Sequence, residues 1–167
     1  MAIRGRHLAP LILVAGAALA LPGPGGADPS STPQAEVRVA FHLAEAEALH
    51  EALAPVVTGP CPRFPTPAAW DAYLETLMDQ GVTFAAHLDE AWREAKSGGD
   101  DLRRRVKAAR REWLVGNPTR LVGKLTRCAW RNGSPLDPWR LWREVSAQVP
   151  DRRREVARAA DLVVSPR

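Results

Sequence analysis

Two groups of side chains have types and spacings that could do chemistry: a set of histidines and carboxylates, and a set of arginines. His42, Glu47 and His50 share one Ala-, Glu- and Leu-rich stretch. Within it Val39, His42, Ala46, Leu49 and Leu53 alternate steps of three and four, the seam of a bundle-facing helix, so His42 is expected to point inward. At about 100° per residue, His50 lies about 80° round the same face. Glu47 and His50 form a Glu-x-x-His element, which di-metal helical bundles use twice, with further glutamates from other helices. Here it occurs once, and His87 and Glu90 stand in the reverse order. His42, Glu47, His50 and His87 therefore read as ligands of a transition metal, or of a haem held by one histidine. The blander reading, and the one a single Glu-x-x-His in an acidic helix favours, is a core-edge histidine bonded to Glu45 or to a backbone carbonyl. No Cys-x-x-Cys-His element for covalent haem is present.

The arginines form the second group. Arg120, Lys124, Arg127 and Arg131 follow steps of four, three and four, a ladder about 16 Å long on one helical face. Arg103, Lys107, Arg110 and Arg111 lie opposite a neighbouring apolar stripe, and Arg152, Arg153, Arg154 and Arg158 add a third cluster. The planar guanidinium fork suits carboxylate or phosphate. Residues 28–100 carry a net charge of −8 and residues 101–167 a net charge of +10. The basic face is thus either a site for an external anion or a surface paired with the acidic half of its own chain.

Tryptophan is abundant, with six residues. Trp70, Trp92, Trp113 and Trp142 fall on apolar stripes and read as core. Trp130 falls off them and Trp139 sits on the edge of its stripe, and both are flanked by arginine (Arg131, Arg140, Arg143), a pairing common on interaction surfaces. No nucleophile elbow, zinc-protease motif or phosphate loop is present, so nothing in the motifs argues for an enzyme.

The compartment follows from the first residues. Arg4 and Arg6 precede an apolar run from Leu8 to Leu21, and Pro22 to Ala27 then break any helix and end in small residues. This is the layout of a cleaved export signal over residues 1–27, its apolar run too short to span a hydrocarbon core of about 30 Å. Residues 28–33 are expected to be flexible, and residues 34–167 to form a single helical domain without a transmembrane segment. The location is periplasmic or extracellular. In an oxidising compartment the two cysteines, Cys61 and Cys128, are expected to pair, closing a loop of about 68 residues. Export also argues against nucleic acid as the anion and leaves lipid head groups, other envelope polymers or an acidic protein.

The elements that must position these groups are all helical. A first helix is expected from Gln34 to Ala54, closed by Pro55. Pro55–Pro67, with five prolines, reads as a loop carrying Cys61. Thr66-Pro67 and Asp137-Pro138 are cap-plus-proline helix starts, and Asn117-Pro118 opens another helix. Gln80-Gly81 reads as a kink or a stop. Asp100 or Asp101, and Asp151, are expected caps, and Val156, Ala159, Ala160 and Val163 the inner face of a last helix. No stretch alternates with period two. The expected fold is an all-α, irregular bundle of five to seven helices stapled by Cys61–Cys128. The expected function is a non-enzymatic exported domain that binds an anionic envelope component or an acidic protein through Arg103, Lys107, Arg110, Arg120, Lys124, Arg127, Arg131, Trp130 and Trp139. The alternative is a haem- or metal-binding bundle.

Overall fold

A computed structural model describes residues 33–113 and 118–164, and the expected export signal lies outside them. The described residues form six helices and no strand: α1 (Pro33–Thr58), α2 (Pro67–Ser97), α3 (Asp100–Glu112), α4 (Pro118–Arg131), α5 (Pro138–Ser146) and α6 (Val149–Val164). The fold is therefore an all-α bundle. Of the segment expected to be flexible, Pro33 opens α1.

α2 is the wall that the others share. It runs antiparallel to α1, from Ala35 against Gly98 to His42 against His87, and also packs against α3, α5 and α6. Two apolar clusters result. The larger gathers Leu53, Trp70, Leu74, Met78 and Phe84 with Leu121, Leu125 and Cys128, and the smaller gathers Ala35, Val39, Ala91, Ala95, Leu102 and Val106.

Two helix starts form as their residues require. The Thr66 hydroxyl accepts from the Ala69 amide at 3.2 Å, and Pro67 takes the first turn, where no amide is needed. Asp137 accepts from the Trp139 amide at 2.9 Å, again ahead of a proline.

Several boundaries differ from expectation. α1 does not stop at Pro55 but continues to Thr58. The turn after the proline is held by the Thr58 hydroxyl donating to the Ala54 carbonyl (2.9 Å) and by the Gly59 amide donating to the Pro55 carbonyl (2.7 Å). Val56 and Val57 add packing against the larger cluster. α2 passes through Gly81 without ending. A β-carbon there would meet the Trp142 ring at 3.2 Å, so the glycine serves the close approach of α5 and not a break. Neither Asp100 nor Asp101 caps α3. The cap position is Gly99, whose φ of 102° suits glycine, and the two aspartates pair instead with Arg103 and Arg104 one turn on. Asp151 likewise lies inside α6, paired with Arg154. On that helix Val156 and Ala160 are buried, whereas Ala159 and Val163 are exposed.

The disulfide forms as expected, with the Cys61 and Cys128 α-carbons 5.2 Å apart. Asn132 supports it. Its Nδ2 donates to the Pro62 carbonyl at 3.0 Å, and its Oδ1 accepts from the Phe64 amide at 3.0 Å. Phe64 then lies against Tyr73 and Trp70, with ring centroids 5.0 and 5.8 Å away. Replacing both cysteines, Cys61→Ala with Cys128→Ala, is expected to lower the unfolding free energy by about 2–4 kcal/mol, read from urea denaturation of the helical circular-dichroism signal. An unchanged midpoint would mean that Asn132 and Phe64 hold the loop by themselves.

Candidate functional site

The histidine candidates divide between two places. His42 of α1 and His87 of α2 meet in the interior, 1% and 4% exposed, with their Nδ1 atoms 3.1 Å apart. Phe41 packs against both rings, at centroid distances of 5.3 and 6.0 Å. Glu47 is exposed, and His50 stacks on Trp113 at 5.9 Å with its Nδ1 buried and unpartnered. The four residues expected as ligands are therefore not brought to one point. Among the described residues, no three of His, Cys, Asp or Glu are arranged to hold a metal ion. The gap between the His42 and His87 Nδ1 atoms also leaves no room there for a macrocycle.

The histidine pair sits between the two apolar clusters, inside a set of charged partners. Glu90, one turn after His87, is 3% exposed and accepts from Arg153 of α6 at 2.7 Å and from Arg93 at 3.1 Å. One turn before His42, Arg38 reaches Glu94 of α2 at 3.4 Å and Asp161 of α6 at 2.8 Å. Burial pushes both histidines down from 6.5 to about 4. The Glu90 carboxylate partly opposes this at His42, and the nearby His42 adds to it at His87. Both rings are neutral at pH 7, so one donates its Nδ1–H to the bare Nδ1 of the other.

The arginine clusters separate into paired and unpaired groups. Arg110 bonds to Asp89 of α2 and lies over the Trp92 ring, 5.9 Å from its centroid. Arg152 bonds to Asp79 of α2 and to Glu155, and Arg103 bonds to Asp100. Lys124 donates to the Gly59 carbonyl, at the end of α1. The acidic half is thus partly matched from within the chain. In contrast, Arg105, Lys107 and Arg111 of α3, Arg120, Arg127 and Arg131 of α4, Arg143 of α5 and Arg158 of α6 form no ion pair or side-chain hydrogen bond among the described residues.

Three of these are on α4. Its inner face is Leu121, Val122, Leu125, Cys128 and Ala129, all buried. At about 100° per residue, Arg120, Arg127 and Arg131 fall within about 40° of one another on the outer face, with Trp130 about 60° from Arg127. Trp130 is 84% exposed. On the same side, a β-carbon at Gly123 would meet nothing within 4 Å. Beyond the α4–α5 turn, Leu136 and Trp139 are also exposed. The turn itself is tied to α2 by the Ser134 hydroxyl donating to Asp71 at 2.6 Å.

No family model, curated protein or solved structure matches the chain. The site rests on its own geometry. Sequence reasoning missed the two cross-helix partnerships that organise it, Glu90 with Arg153 and Asn132 with the proline-rich loop. The available signals were a lone glutamate at the position of a core stripe and an asparagine just past a helix end.

The buried histidines set a pH dependence. Each ring takes up a proton near 6.5 when unfolded and near 4 when folded, so below 6.5 the unfolded chain binds more protons. The stability contributed by the neutral rings is complete above 6.5 and is lost as pH falls from 6.5 to about 4. The urea midpoint should drop through this window. Replacing both rings, His42→Leu with His87→Leu, should flatten the drop; an equally steep drop in that variant would place its origin elsewhere.

Proposed function

We propose that this chain is a non-enzymatic binding domain whose outer α4 face attaches to an anionic phospholipid surface. The supporting observation is the sorting of the arginines. Arg120, Arg127 and Arg131 keep their charge unmatched among the described residues, and they lie beside the most exposed tryptophan of those residues. Guanidinium groups pair with phosphate in two-point contacts, and tryptophan is favoured at the depth of lipid head groups. Leu136 and Trp139, which follow α4 in the chain, are exposed as well. An export signal over residues 1–27 would bring this face to an envelope membrane. An acidic protein would offer carboxylates to the same arginines and a pocket to the tryptophan, and vesicle binding separates the two.

Attachment of this kind is dominated by charge and is screened by salt. The chain should sediment with vesicles containing phosphatidylglycerol and not with phosphatidylcholine vesicles. Raising the salt from about 0.05 to 0.5 M should release it. Arg127→Glu and Trp130→Ala should each weaken vesicle binding by about five- to tenfold. Arg104→Ala, which removes a side chain already paired with Asp101, should change little. Binding that ignores both salt and the α4 substitutions would reject the proposal. Retention on an acidic protein without vesicle binding would replace the lipid with a protein partner.

A further inference from the structure

The pair of histidines between the two apolar clusters has a second chemical capacity. Metal–imidazole bonds are about 2.0–2.1 Å long, so two nitrogens on one ion stand about 3.3 Å apart at a tetrahedral angle and about 4 Å apart when collinear. The His42 and His87 Nδ1 atoms already face each other at 3.1 Å, on two helices packed along their length. Both rings are neutral at pH 7, the state in which imidazole binds metal.

The number of donors selects the ion. Among the described residues no third donor completes a chelating group, and the nearby Glu90 carboxylate is committed to Arg153 and Arg93. Zinc sites take three or four protein donors, and a doubly charged ion on two neutral rings would be left poorly matched in a buried place. A soft, filled-shell monovalent ion differs on both counts. It is satisfied by two collinear nitrogens and adds a single charge, towards which Glu90 and Asp161 contribute a favourable field at His42 and Arg38 an opposing one. We propose that His42 and His87 form a two-imidazole site for copper(I).

The protons balance without release. Both Nδ1 atoms must present lone pairs, so the ring that carries Nδ1–H moves that proton to its own Nε2. The ion then occupies the position of the shared proton, and the rings part from 3.1 Å towards about 4 Å. No electron is transferred, because the metal arrives as copper(I).

The test titrates the full chain anaerobically with copper(I) against a competing chelator. Copper per chain is counted after desalting, and the X-ray absorption edge is recorded. The expected result is one copper per chain, with the edge of a linear two-nitrogen site. His42→Leu or His87→Leu should abolish stoichiometric uptake, and His50→Gln should leave it intact. Where a variant loses its helical circular dichroism, the wild-type edge decides. Copper well below one per chain, an edge showing three or more donors, or unchanged uptake in folded His87→Leu would each overturn the proposal.

Discussion

A carboxylate carried into the interior has to be matched where it lies, and the arrangement of α1, α2 and α6 follows from that requirement. Glu90 is on the buried side of α2, because the same turn must present His87 and Ala91 to α1. An unpaired charge at such a depth would cost several kcal/mol, about as much as a small domain can spare. Arg153 removes that cost by crossing from α6, and Arg38 ties α1 to both Glu94 and Asp161. These pairs choose where the last helix lies, while its two buried apolar residues, Val156 and Ala160, supply its packing. Removing Arg153 would leave the buried Glu90 carboxylate matched by Arg93 alone.

The same requirement explains why so basic a half does not repel itself. Arg110, Arg152 and Arg153 all reach acids of α2, so part of the +10 of residues 101–167 is spread over the −8 of residues 28–100. Partly exposed pairs of this kind contribute about 0–1 kcal/mol each. Their effect is to choose which helix lies beside α2 more than to hold it there. α4 is outside this arrangement. It packs on α5 and α1, and among the described residues its outer arginines form no ion pair with α2.

What could be read from the sequence was local. Thr66-Pro67 and Asp137-Pro138 signalled their helices because a cap and its proline act within one turn. The staple was readable because an isolated cysteine pair has one partner choice. Errors arose where a distant group overrode a local rule. Pro55 remains helical because Val56, Val57 and the bonds at Thr58 and Gly59 hold the turn after it. Gly81 is required by Trp142, sixty-one residues away. At the histidines, helical spacing grouped His42 with Glu47 and His50, since those share one helix. The structure joins His42 to His87 across the α1–α2 seam, a register that no single helix encodes.

α4 shows how one short helix can divide structural and surface duties. Leu121, Leu125 and Cys128 fill the larger cluster, Cys128 and Asn132 grip the proline-rich loop, and Lys124 closes the end of α1. These contacts fix the helix about its long axis, because a rotation would break the disulfide, the Asn132 bonds and the Lys124 bond together. The outer face then has nothing to support. The backbone that carries Arg120, Arg127, Trp130 and Arg131 is held by the residues behind it, and their side chains keep their own hydrogen-bonding capacity. A rigid backbone beneath flexible charged side chains lowers the ordering cost of binding, since only rotamers remain to be fixed. On this argument the disulfide and Asn132 do more than stabilise a loop. They pre-set the face that α4 turns to solvent.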